Sequence, residues 1–130
     1  MNMQFDATTY NAFVEDEVRI LGLADDPAQP GQYLVLQRAE HFDEQDEALG
    51  MATYHVELGG QDVSGYGGIE QVLLASGQLT LHFSQAVAWC RSLPSLEIRW
   101  ETGLLVPDEL EAALTGIFSE TTTVIQRQPQ

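Results

Sequence analysis

Ile69-Glu70-Gln71-Val72-Leu73-Leu74-Ala75-Ser76-Gly77-Gln78-Leu79-Thr80-Leu81-His82-Phe83 is the stretch that decides the fold. Two apolar runs of strand length flank Ser76-Gly77, and in the second run Leu79, Leu81 and Phe83 alternate with Thr80 and His82. Alternation with a period of two sends successive side chains to opposite faces of a strand, so one face is buried and the other is wet. Glycine enters the positive-φ region of a two-residue turn at no steric cost, which makes the segment strand, turn, strand. A link this short forces the two strands antiparallel.

The same period extends in both directions. Ala52, Tyr54, Val56 and Leu58 face one way and Met51, Thr53, His55 and Glu57 the other, and Gly59-Gly60 follows as the next turn. Leu96, Ile98 and Trp100 alternate with Glu97 and Arg99. Val18 to Ala24 and Tyr33 to Arg38 are further apolar runs, joined by a longer link from Asp25-Asp26-Pro27 to Pro30-Gly31. Thr121 to Gln126 is β-branched enough to form a last, edge strand. Two segments change to helical spacing. Pro107 suits the first position of a helix, with Asp108 and Glu109 in its first turn, and Leu110, Ala113, Leu114 and Ile117 form one apolar stripe. Ser84 is placed to cap a shorter helix carrying Ala86, Trp89, Cys90 and Leu93 on one face and ended by Pro94. The expectation is an α+β chain, mainly β: an antiparallel sheet of about six to eight strands with one or two packed helices. Its 130 residues fit a single domain over 1–130.

Charge separates the two halves. Twenty acids stand against five bases, all arginine, for a net charge of −15. Residues 1–65 hold thirteen acids and two arginines, a net of −11; residues 66–130 hold seven acids and three arginines, a net of −4. Such a surface repels phosphate backbones and anionic lipid and attracts basic proteins. Solubility alone is the plainer reading of the same charge. No apolar run reaches membrane-spanning length, and Met1-Asn2-Met3-Gln4-Phe5-Asp6 has neither the basic nor the apolar region of a secretory signal. The single cysteine, Cys90, fits a reducing compartment. A cytoplasmic protein without nucleic-acid or membrane partners is expected.

Catalytic motifs fail on inspection. The chain has no lysine, which removes P-loop and Schiff-base chemistry. Gly65-Tyr66-Gly67-Gly68 is not a dinucleotide loop, because Glu70 stands where its third glycine belongs. Around Ser64 the nucleophile elbow lacks its first glycine, replaced by Asp62. His41, His55 and His82 lack the paired spacing of metal ligands. Cys90 sits on an apolar face with Arg91 its one nearby base, which fits core better than nucleophile. No catalytic residue, cofactor or metal is expected. Glu40 to Glu47 holds five acids in eight residues without the ligand order of a calcium loop. Three readings of it stand: a solvated loop, an acid–base pair of Asp43 and Asp46, and a recognition loop in which Asp43, Glu44, Asp46 and Glu47 meet a cationic partner. The glycines around Tyr66 fit a tight bend between strands. Tyr66 itself reads equally as a buried corner residue or as an interface anchor.

Tyr33-Leu34-Val35-Leu36-Gln37-Arg38, Asp46-Glu47-Ala48-Leu49-Gly50, Thr53-Tyr54-His55-Val56-Glu57, Gly60-Gln61 and Ser64-Gly65-Tyr66-Gly67-Gly68-Ile69 resemble, in order and spacing, the immunity protein 10 family of bacterial polymorphic toxin systems. The resemblance runs over about residues 18–100. It implies a mainly β fold, no activity, no cofactor, and protection of the producing cell by tight binding of a cognate toxin in the cytoplasm. The acidity favours a basic nuclease or nucleic-acid deaminase as that toxin. Two alternatives stay open: a β module binding a small ligand or peptide without a toxin partner, and a carboxylate-dependent hydrolase. The oligomeric state is not written in the sequence.

Overall fold

A computed structural model describes residues 3–49, 52–60 and 63–128. The elements run β1 (Met3–Asp6), β2 (Thr9–Glu15), β3 (Val18–Ala24), β4 (Tyr33–Ala39), α1 (Glu44–Ala48), β5 (His55–Gly59), β6 (Val63–Tyr66), β7 (Ile69–Ala75), β8 (Gln78–Phe83), β9 (Leu96–Arg99), α2 (Pro107–Ile117) and β10 (Val124–Arg127). They form two five-stranded sheets. The front sheet has the order β2-β3-β4-β5-β6 and the back sheet β1-β9-β8-β7-β10. Every neighbour pair in the front sheet is antiparallel. In the back sheet the outer strands β1 and β10 pair parallel to β9 and β7.

The α+β, mainly β class holds, and the strands divide between two sheets rather than filling one. The hairpin read from Ile69 to Phe83 is present, with Ala75 opposite Gln78 across Ser76-Gly77 and Gly77 at φ 72°. Alternation across it sends Val72, Leu74, Leu79 and Leu81 into the core. From the front sheet Leu21, Leu23, Leu34, Leu36, Val56 and Leu58 come to meet them, and all belong to one connected cluster. Each such side chain contributes about 1.5–3 kcal/mol by leaving water, so this shared core holds the two sheets together.

Helix α2 closes the core as its spacing demands, burying Leu110, Leu114 and Ile117. Its C-terminal end is neutralised by the front sheet. Arg38 donates to the Ile117 carbonyl at 3.1 Å and to the Ser119 carbonyl, the favourable place for a cation on a helix dipole. Arg19 packs against Gly116, where a Cβ would stand 3.1 Å from its guanidinium. Both arginines of the acidic half of the chain are therefore committed to α2.

Three expectations change. The short helix after Ser84 is only a 3₁₀ turn, Ala88–Cys90. Ser84 Oγ accepts the Ala86 N–H at 3.1 Å in a local turn instead of capping a helix, and Trp89 and Cys90 are drawn down onto glycines. Gly59 is not a turn residue but the end of β5, paired with Tyr33, whose ring occupies the place of a Cβ. Gly60 turns with φ 90°, and residues 61–62, like 50–51, lie outside the described residues. The acidic segment after Glu40 is not a plain loop, since it contains α1. The structure also adds a hairpin, β2–β3, which turns on Asp16-Glu17, both at positive φ (52° and 63°) without glycine.

The Gly65–Gly68 bend carries the chain from the front sheet to the back, with Gly67 at φ 68° and Gly68 at φ 97°. The Trp89 indole lies against Gly65, where a Cβ would come within 2.2 Å, and donates its N–H to the Gly67 carbonyl at 3.2 Å. Buried Tyr54 braces the same bend. Its hydroxyl accepts the Ile69 N–H at 2.8 Å and lies 3.2 Å from Thr123 Oγ1, while its ring meets Phe118 edge-on at 4.7 Å.

Candidate functional site

Helix α1 exists because Asp43 and Asp46 cap it reciprocally. Asp43 Oδ1 accepts the Asp46 N–H at 2.8 Å, and Asp46 Oδ2 accepts the Asp43 N–H at 3.1 Å. This is a capping box with aspartate in both places. Both carboxylates of the suspected acid–base pair are thus taken up in holding the helix end. Phe42, just before the cap, lies under the Arg38 guanidinium at 5.4 Å and ties α1 to the front sheet.

Between α1 and the β5–β6 hairpin lies a cleft of about 180 Å³, lined by Val18, Gln37, Phe42, Asp46, Thr53, His55 and Tyr66 among others. It brings together two of the five residues expected to meet a partner, Asp46 and Tyr66. Asp43, Glu44 and Glu47 stand exposed on α1 and do not line it. Tyr66 is 41% exposed and leans edge-on against His55 at 4.8 Å, so it is not the buried corner residue. Tyr54 fills that role.

Residues beyond those expected belong to this face. Strand register places Phe13, Ile20, Gln37, His55 and Tyr66 in one row across the front sheet. Phe13 is 47% exposed. The signal for them lies in β3 and β4, whose runs are apolar at outward as well as inward positions: Val18 and Ile20 beside Leu21, and Val35 beside Leu34 and Leu36. Runs of that kind belong to strands covered on both faces, and here one face is open.

The electrostatics are one-sided. Residues 15–47 contain ten acids and two arginines, a net of −8. Among the described residues the ion pairs are Arg99 with Glu97 and Arg127 with Asp108 and Glu111, all in the other half of the chain. The front acids therefore keep their field. Asp26 is held below the usual carboxylate range by the Gln29 and Ala28 N–H groups it accepts.

Burial pushes the Cys90 thiol up, and its sulfur lies 3.4 Å from the Ser84 carbonyl and 3.5 Å from that of Gly68. A neutral thiol facing carbonyls is a packed core group rather than a nucleophile. Among the described residues no group of three or more His, Cys, Asp or Glu is arranged to hold a metal ion, and no helix is long and apolar enough to cross a membrane. A hollow of about 550 Å³ opens beside β1 and β9, lined by Asp6, Arg99, Trp100 and Glu101 among others.

These features describe an acidic domain of two five-stranded sheets around one shared core. The family model for Immunity protein 10 matches residues 6–109, most of the chain, and the chain belongs to that family. No curated protein matches it.

Proposed function

We propose that this chain protects the cell that makes it by binding one cognate toxin in the cytoplasm, with no chemistry of its own. The observation that carries this reading is the family match over residues 6–109. The uncompensated acids of the front sheet and α1 support a basic target, a nuclease or nucleic-acid deaminase whose phosphate-binding groove wants negative charge. In this reading Asp43, Glu44, Asp46 and Glu47 speed capture, and Tyr66 helps to hold the complex.

The test is co-expression with each toxin domain encoded beside it, scored by growth, with binding of the purified pair alongside. Rescue from one toxin and not from unrelated ones is expected. Arrest despite soluble protein, with no complex formed, contradicts the reading. Converting Asp43, Glu44, Asp46 and Glu47 to amides keeps acceptor oxygens for the α1 cap. Folding should survive, and association at low salt should slow about tenfold or more. Unchanged association rates would remove α1 from the interface.

A further inference from the structure

We infer that the outward face of the front sheet is the surface that docks the toxin, and that the toxin brings to it an apolar prominence ringed by lysines and arginines. This rests on the function proposed above and goes beyond it by naming the face and the chemistry that fits it.

The first observation is the row from Phe13 through Ile20 to Tyr66, which crosses all five strands, beside a second row of Asn11, Gly22, Val35, Glu57 and Ser64. Asn11, Phe13, Ser64 and Tyr66 are exposed and the other six are half-buried, with Phe42 and Asp46 walling the His55–Tyr66 end. Half-buried Ile20 and Val35 at the centre and exposed Phe13 and Tyr66 on the two edge strands give this face an apolar part among Gln37, His55 and Glu57, which suits a contact surface.

Gly22 is the second and independent observation. It sits inside β3, where glycine weakens a strand. Nothing in the fold requires it: a Cβ there would meet only the Leu34 carbonyl, at 3.9 Å, and its φ is not positive. Its lack of a side chain opens a groove of about 260 Å³, lined by Thr9, Asn11, Ala24, Tyr33 and Val35 among others. A strand glycine with free space above it fits close approach by another chain.

Charge complementarity selects the occupant. Glu15, Asp16, Glu17 and Glu40 gather where β2 meets β3 and β4 ends, the Glu40 N–H bonding the Glu17 carbonyl at 2.8 Å. Asp46 lies in the cleft at the Tyr66 end, and Glu57 lies within the second row. The two arginines of this half both contact α2, although Arg38 also lines the cleft beside Asp46 and Arg19 a hollow beside Phe13. An apolar centre with an acidic margin matches a basic protein surface with an apolar core.

The experiment places a bulky side chain on each face. Gly22→Trp fills the front groove, and His82→Trp places the same side chain at an exposed outward position of the back sheet. Affinity for an inactive variant of the cognate toxin domain is measured with melting temperature as the folding control. Gly22→Trp should weaken binding by about 100-fold or more while the protein stays folded, and His82→Trp should leave affinity within about threefold. Phe13→Ser, at an exposed position, should cost about tenfold and decides the matter if Gly22→Trp does not fold. Wild-type protein that binds no toxin overturns the proposed function and this surface together. Wild-type affinity retained by Phe13→Ser and by folded Gly22→Trp overturns the surface alone. So does a dimer of the free chain that Gly22→Trp disperses, since the face would then belong to a second copy.

Discussion

The outward faces of the two sheets are built on opposite plans. On the back sheet Gln78 donates to Glu97 at 3.0 Å, Arg99 pairs with Glu97 at 2.6 Å, and Gln71 donates to Gln126 at 3.1 Å. These polar groups are partnered within the sheet, while His82 stands exposed and Val124 is exposed at its edge. On the front sheet Tyr33 donates to Glu57 at 2.6 Å, but Phe13, Ile20, Val35 and Tyr66 stand beside acids that make no ion pair among the described residues, around a glycine notch. The two sheets share one core and have equal strand numbers, so folding alone does not demand the difference. In the proposed function a basic partner completes this partly apolar, acidic face.

The largest effect should come from opposite sides of one front strand. Leu36 points into the core and is fully buried, while Val35 points outward and is half-buried. Leu36→Ala should cost about 2–5 kcal/mol in urea unfolding. Val35→Ala should cost about 1 kcal/mol or less yet weaken toxin binding more than Leu73→Ala, its outward counterpart on the back sheet. Equal binding by the two outward variants would erase the distinction between the faces.

A second effect concerns the bend that joins the sheets. Burial raises the Cys90 thiol above its ordinary 9.0 and the Tyr54 phenol above its ordinary 10.0. In both, folding favours the neutral form. The stability this contributes is fully present below the unfolded-state values and is lost as pH rises through the folded-state values. Melting temperature should therefore fall on the alkaline side, and Cys90→Ala should flatten the first part of that fall. A wild-type and variant with parallel profiles above pH 9.0 would show that the thiol is not buried as described.

The smallest effect lies at the front edge. Asp16 and Glu17 hold positive φ without being glycine. The double substitution Asp16→Asn with Glu17→Gly puts the preferred asparagine–glycine pair into this turn and should stabilise by about 0.5–1 kcal/mol. It also removes two acids from the rim, so association with the toxin should slow although the fold is firmer. Faster association would place the turn outside the steering field.

Legibility in the sequence follows the same division. The back-sheet hairpin is readable because Leu79, Leu81 and Phe83 alternate with polar residues, which is what a face in water imposes. Strands β3 and β4 are readable as strands, but not as a docking face, because apolar runs say only that both sides are to be covered and not by what. Strand β2 escapes because Ala12, Phe13 and Val14 are exposed on both sides and its turn lacks glycine. Strand β1 has four residues, too few for a period, while β10 is legible as an edge strand in the β-branched run from Thr121 but its parallel pairing is not. Tyr66 reads as corner or anchor with equal force until the fold shows that Tyr54 already holds the corner. The α1 cap has a trace in the sequence, Asp43 and Asp46 spaced as a capping box, but aspartate in both places hides it within an acidic run.

The most direct measurement of the central claim is methyl NMR of this chain titrated with the inactive cognate toxin domain. Methyls of Val18, Ile20 and Val35 report the outward front face, and those of Leu73, Thr80 and Val124 report the outward back face. The front set should shift and broaden on binding while the back set stays in place. Perturbation of the back set with the front set unmoved would contradict the claim.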